Sequence, residues 1–311
     1  MMMKLPVIGM IGLGAMGRPI ALRLQAAGYP LTLYARRAEA FEEELKPLVE
    51  AGAKIAATPA GMAAEADIIL LNVMAGDDVR SVMTGGVHSV LAGAQPGLII
   101  TDHSTIDPVT AREVSAAATA TGAHYIDAPV SGGAIGAEAG TLTFMAGGSE
   151  AGFAMASPLF DVMGRKAVYC GDSGAGQAAK ICNNMILGIT MIGTCEAFAL
   201  ADRLGLDRQR MFDVVSTSSG YSWVMNDYCP APGVGPKSPA DNGYQPGFAA
   251  ELMLKDLMLA QMAAGATNAE TPLGQAALEL YRQFVEDEDG RGKDFSAMLP
   301  RFEKAATGSG A

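Results

Sequence analysis

Lys180 and Asn184 stand four residues apart in the run Gly176-Gln177-Ala178-Ala179-Lys180-Ile181-Cys182-Asn183-Asn184. On a helix that spacing places both on one face. The helical pattern beyond Lys180 carries no other charge until Glu196, which favours a buried or cleft-facing lysine. A lysine whose pKa is lowered by desolvation and a nearby cation can take a hydroxyl proton as hydride leaves the carbon. In reverse it can return that proton to a forming alkoxide. Asn184 is placed to orient the ammonium and a substrate oxygen, whereas Asn183 points about 100° away on the helix. The competing reading is an exposed lysine at a helix start.

A second group with chemical potential is Ser131-Gly132-Gly133, in the run Asp127-Ala128-Pro129-Val130-Ser131-Gly132-Gly133. A hydroxyl followed by two glycine amides can form a small nest for a carboxylate; a plain turn with Ser131 capping a helix is the alternative. A third group is Gly12-Leu13-Gly14-Ala15-Met16-Gly17. Alone this spacing is weak evidence, but here an apolar strand pattern precedes it and an Ala/Leu helical pattern follows it. Gly12 permits the tight turn, Gly14 lets a pyrophosphate reach the backbone, and Gly17 lets helix pack on strand. The free N–H groups at the helix start then face the phosphates.

The second apolar strand ends at Tyr34 and is followed by Ala35-Arg36-Arg37, with no carboxylate before Glu39. A site for NAD usually holds the ribose 2′-hydroxyl with an acid at this place. Arg36 and Arg37 could instead clamp a 2′-phosphate, so NADP is favoured over NAD. Two solvated arginines are the alternative.

These groups need elements to position them. Short apolar runs at 7–11, 31–34, 68–73, 98–101, 124–126, 142–146 and 167–169 read as strands bounded by Gly, Pro or Asp. Helical patterns at 16–27, 38–50, 60–66, 108–121 and 150–163 alternate with them. The expected fold is α/β: a Rossmann-type, doubly wound, mostly parallel sheet over residues 1–174. The rhythm then changes to helical patterns at 177–204, 208–216, 247–264 and 271–286, with no convincing strand. Residues 175–311 therefore read as an all-α domain for substrate binding and dimerisation, joined by the long helix 177–204. The Pro- and Gly-rich stretch 229–247 reads as an ordered loop over a site. A disordered end is expected only at 307–311.

Composition removes several classes. Half of the 311 residues are hydrophobic, enough for a sizeable core, and the formal charge of −11 argues against a nucleic-acid partner. The three histidines and four cysteines show no ligand spacing, so no metal is expected. Cys170, Cys182, Cys195 and Cys229 form no CxxC pair and read as thiols of a reducing cytoplasm. No secretory leader pattern is evident in Met1 to Pro6. The apolar stretch 181–201 includes Asn183, Asn184 and Glu196, costly groups in a bilayer, so no membrane span is expected.

The ordered segments resemble the β-hydroxyacid dehydrogenases, and within them the hydroxyisobutyrate branch, almost from end to end. Besides the runs above, the resemblance includes Ser104-Thr105-Ile106-Asp107-Pro108, Thr141 to Met145, Ser218-Ser219-Gly220 with Trp223, Pro230 to Val234, Gly247-Phe248, Leu252 to Leu257, and Lys293 to Ser296. It implies that Lys180 is the catalytic lysine with Asn184 as partner, and that Ser131, Gly132 and Gly133 hold the substrate carboxylate. It also implies that Thr105 lies between cofactor and substrate, that Val73 and Met74 flank the cofactor, and that Lys255 reaches the cofactor side. The sequence departs from the family at Ala35, where an Asp is usual. It departs again at Val73-Met74 and Asp78, which replace Leu-Pro and an Asn, and at His103, which replaces a small residue.

The expected activity is reversible NAD(P)-dependent oxidation of a short 3-hydroxy acid to its semialdehyde. An NADPH-dependent reductase of tartronate or succinic semialdehyde is the runner-up. A nucleotide-binding protein that has lost chemistry is a remote third reading. The apolar second domain points to a homodimer or homotetramer.

Overall fold

The computed structural model describes residues 5–304, with the side chain of Lys304 left out; the expected disordered end at 307–311 lies outside this range. The chain divides into two compact units between Lys180 and Ile181.

The first unit is built on strands β1 (Ile8–Ile11), β2 (Leu31–Tyr34), β3 (Lys54–Ile55), β4 (Ile68–Leu71), β5 (Ile99–Asp102), β6 (His124–Asp127), β7 (Val130–Ser131), β8 (Leu142–Gly147) and β9 (Gly164–Gly171). Their order is β3-β2-β1-β4-β5-β6-β8-β7, with β9 also paired to β8. Strands β1 to β6 run parallel. Strand β8 pairs antiparallel with β6 and β7 and parallel with β9. Helices α1 (Gly17–Ala26), α2 (Lys46–Glu50), α3 (Pro59–Glu65), α4 (Gly76–Thr84), α5 (Val90–Gly93), α6 (Pro108–Ala120), α7 (Gly133–Ala139) and α8 (Glu150–Met163) connect the strands. Two apolar clusters form the core of this unit: Ile8, Leu33 and Leu70 belong to one, Ile69, Leu71 and Ile100 to the other. Successive strand side chains alternate between them because they point to opposite faces of a sheet.

Helix α9 (Ala175–Arg203) begins in this unit and continues into the second. The second unit adds α10 (Arg208–Val215), α11 (Trp223–Asp227), α12 (Ala250–Thr267), α13 (Pro272–Glu286) and α14 (Met298–Lys304). Its described residues contribute no strand, only an isolated bridge between Ala249 and Asp294.

Four sequence readings change in detail. The helix expected at 38–50 is a 3-10 turn at Ala38–Phe41 followed by a fresh start at Lys46. Pro47 explains the restart, because proline fits a first helical turn and not an interior one. The helix expected from 247 begins at Ala250. The amides of Gly247 and Phe248 instead donate to the Asp294 carboxylate at 3.0 Å. Strand β7 lies within the run read as a turn, and helix α7 follows it directly. The cap of α7 is Gly132, with no side-chain bond, so Ser131 does not cap it.

The 229–247 stretch is ordered by its own hydrogen bonds. Asp241 accepts from Gly233 N at 2.7 Å and from Ser238 N at 2.9 Å. Ser238 and Asp241 also form a capping box on the short 3-10 helix Pro239–Asn242.

Candidate active site

Register places the site segments at one edge of the first unit. Tyr34 is level with Ile11, Ile11 with Leu71, Leu71 with Asp102, and Asp102 with Asp127. The chain therefore leaves these parallel strands in a row, where ligands of open α/β sheets bind. The order reverses between β1 and β4, and the glycine turn emerges at that switch point.

Each glycine of the turn has a different reason to be there. A Cβ on Gly12 would lie 1.9 Å from the Asn72 carbonyl oxygen, and the residue has φ +87°. A Cβ on Gly17 would lie 1.9 Å from the Gly12 carbonyl oxygen. A Cβ on Gly14 would meet no protein atom within 4 Å, so glycine there leaves the backbone bare on its open side. Helix α1 has no side-chain cap and no acid in its first turn. Bare amides at an uncapped helix start fit a pyrophosphate.

Arg36 is exposed and lies 3.7 Å from the Asp78 carboxylate at the start of α4. Arg37 is paired with Glu43 at 3.2 Å and with Glu44, so the two arginines are not equivalent. The charge of Glu44 is the main cause that raises the Arg37 pKa. Met74 is exposed, whereas Val73 N donates to Ser104 Oγ at 2.9 Å. Thr105 follows in the loop between β5 and α6.

Lys180 is buried, and its Nζ donates to the Val130 carbonyl oxygen at 2.7 Å. The structure thus brings the lysine to β7, one residue before Ser131. The next two residues, Gly132 and Gly133, have φ of 131° and 61°, which turn the chain sharply away from the strand. A proton-carrying amine and a turn with a hydroxyl and two glycine amides consequently share one strand end.

Asn184 lies one helical turn along α9, in the second unit, and is fully buried. Its Nδ2 donates to Asp256 Oδ2 at 2.5 Å, and its Oδ1 accepts from Asn183 Nδ2 at 2.9 Å. Lys255 Nζ sits 3.1 Å from Asp256 Oδ1. That oxygen has no partner by hydrogen-bond geometry, so the contact is an ion pair and not a directed bond. Asp256 thus fixes the amide of Asn184, a role the sequence reading missed. Its signal was an acid directly after a lysine inside an apolar helix.

Buried acids beneath the strand ends were also missed. Burial pushes Asp102 up to about 6, against hydrogen bonds from Ser104 and Tyr125 that favour its anion. Burial pushes Asp127 up to about 7, opposed by the amides of Gly174 and Gln177. His103 is held down to about 4 by burial. It packs edge-on to Phe144 at 5.3 Å and bonds the Ala128 carbonyl through Nδ1 at 2.8 Å. His103 therefore fills the interior and stays neutral.

A mostly parallel doubly wound sheet, a glycine turn at its switch point and a following helical unit define an NAD(P)-dependent dehydrogenase. Residues 7–171 match the NAD-binding domain of 6-phosphogluconate dehydrogenase. Residues 174–302 match the NAD-binding domain of NADP-dependent 3-hydroxyisobutyrate dehydrogenase. The chain is 43% identical over 305 residues to human mitochondrial 3-hydroxyisobutyrate dehydrogenase, covering 98% of this chain and 88% of that protein. It is 41% identical over 292 residues to a probable 3-hydroxyisobutyrate dehydrogenase of Mycobacterium bovis, covering 94% and 96% of the two chains. The solved Mycobacterium tuberculosis 3-hydroxyisobutyrate dehydrogenase with L-serine superposes with a TM-score of 0.89 at 40% identity, covering 96% of this chain and 99% of that one. The chain belongs to the 3-hydroxyisobutyrate dehydrogenase family of β-hydroxyacid dehydrogenases.

Proposed function

We propose that the protein reversibly oxidises the primary hydroxyl of a short 3-hydroxy acid of the 3-hydroxyisobutyrate type to its semialdehyde. The observation that carries this reading is Lys180 Nζ at 2.7 Å from the Val130 carbonyl, beside Ser131. Ser131, Gly132 and Gly133 would hold the substrate carboxylate, and Lys180 would receive the hydroxyl proton on Nζ. A bound nicotinamide supplies the hydride acceptor, or the donor in reverse. Asn184, fixed by Asp256, would orient the substrate oxygen. L-serine, named with the mycobacterial structure, is by its chemistry also a 3-hydroxy acid. Lys180→Ala should reduce kcat by roughly 100-fold or more; a variant keeping a tenth of wild-type kcat would sink the assignment. Rates with tartronate and succinic semialdehydes, measured beside those with the isobutyrate semialdehyde, test the reductase alternative.

For the dinucleotide, the pyrophosphate would lie on Gly12 to Gly17, with Thr105, Val73, Met74 and Lys255 as further contacts. NADP is the favoured form. No acid stands at Ala35, and Arg36 offers an exposed guanidinium to a 2′-phosphate. Arg37, held by Glu43 and Glu44, is the weaker of the pair. Parallel titration with NADPH and NADH should show tighter NADPH binding, and Arg36→Asp should reverse the order. Equal affinities in the wild type would refute the preference.

A further inference from the structure

Gln177 and Asp127 join the start of α9 to the strand ends through buried bonds. Asp127 Oδ1 accepts from Gly174 N at 2.7 Å and its Oδ2 accepts from Gln177 N at 2.9 Å. The carboxylate therefore satisfies two amides at a helix start that no acid of its own first turn serves. The Gln177 side chain reaches the other way. Its Oε1 accepts from Ile106 N at 3.0 Å, and its Nε2 donates to the Ser104 carbonyl at 2.8 Å. One amide thus brackets Thr105 on both sides. Ser104 extends the connection, since its Oγ accepts from Val73 N at 2.9 Å and its own N donates to Asp102 Oδ1 at 2.9 Å. Tyr125 completes it by donating to Asp102 Oδ2 at 2.6 Å. Gln177, Asp127 and Asp102 are all fully buried.

The fit at this point is tight. A Cβ on Gly176 would lie 2.3 Å from the Met145 carbonyl oxygen and 2.4 Å from that of Asp127. A Cβ on Gly147 would lie 2.7 Å from Gly176 N. The first turn of α9 is pressed onto β6 and β8, with no slack for another register. Lys180 is three residues beyond Gln177, on an adjoining position of the same helix surface.

We propose that Gln177 and Asp127 are positioning residues that set Lys180 and Thr105 in one fixed relation. A helix could be anchored to a sheet by apolar packing alone. A side chain that binds both neighbours of Thr105 while sitting one turn before Lys180 does more than anchor. Misplacing a reacting group by about 1 Å can reduce the rate about 100-fold. The proposal rests on Lys180 being the proton carrier, and its test separates the two ideas.

The test uses Gln177→Met, which keeps the shape and removes both side-chain bonds, and Asp127→Asn, which sets an amide donor against a backbone N–H. In the folded variants kcat should fall at least tenfold, a larger factor than any rise in KM for hydroxy acid or dinucleotide. The Lys180 Nζ resonance of 15N-lysine-labelled protein should move as well. A kcat within twofold of wild type in both variants would overturn the proposal if Lys180→Ala is inactive. If Lys180→Ala stays active, the proton-carrier reading fails, and an unmoved Lys180 resonance then decides against the positioning role separately. If neither variant folds, amide exchange of the wild type decides. Protection of Gly174, Ile106 and Gln177 at the level of the sheet core supports the clasp, and loop-like exchange rules it out.

Discussion

Two glycine turns leave the same sheet edge, and they need glycine for different reasons. After β1, backbone packing demands it in addition to the φ of 87° at Gly12: side chains on Gly12 or Gly17 would meet carbonyl oxygens at 1.9 Å. After β7, chain direction demands it: Gly132 and Gly133 have φ of 131° and 61°, while a Cβ on Gly132 would first touch only the Leu142 side chain at 3.2 Å. The first turn leans on the backbone of Asn72. The second lies just beyond Asp127, whose burial brings its pKa to about 7. A rigid, uncharged seat suits an invariant pyrophosphate. The second turn lies beside Lys180, and the helix carrying that lysine is held at its start by the ionisable Asp127.

The sharpest way to break this contrast lies within the first turn itself. Gly12→Ala forces a Cβ into the Asn72 carbonyl at a φ that L-residues rarely adopt, so it should cost about 3 kcal/mol or more. Gly14→Ala meets no protein atom within 4 Å and should change stability by only about 0.5 kcal/mol. It should nevertheless weaken dinucleotide binding at least tenfold, because its methyl would occupy the open side of the bare backbone. Denaturant unfolding paired with cofactor titration checks both variants. Equal stability losses would mean that Gly14 serves the fold and not the ligand.

The same contrast explains what the sequence disclosed. The glycine turn was legible because local chemistry dictates its spacing, and Lys180 with Asn184 because one helix face does. The alternating strands and helices were legible because each apolar run is short and bounded. Asp127, Gln177 and Asp256 were not, since their partners lie 47 to 73 residues away in sequence and no period links them. Arg36 and Arg37 looked equivalent by spacing, and only the fold separates them, by giving Arg37 two glutamates of its own loop. The helix expected from 247 starts later, at Ala250 after an extended Ala249, and the Asp294 that holds the Gly247 and Phe248 amides ahead of it lies 46 and 47 residues downstream.

A smaller effect distinguishes the turns by pH. Asp127 has its pKa raised in the folded state to about 7 from 3.8, so the native protein binds this proton more tightly than the unfolded chain. Its contribution to stability is full below the unfolded value and is lost as pH rises through about 7. The wild type should therefore lose Tm relative to Asp127→Asn between about pH 4 and pH 7. His103 has the opposite sign, because its folded pKa is lowered to about 4 from 6.5. Its burial stops opposing folding as pH rises through that range, so the wild type should gain Tm relative to His103→Gln. The two residues lie at the ends of β5 and β6, which β4 separates from β1 in the sheet. Gly14→Ala should accordingly run parallel to wild type at every pH. Tm curves for the three variants across this window check the whole set. A Gly14→Ala curve that diverged from wild type with pH would tie the first turn to the ionisable network and erase the difference between the two.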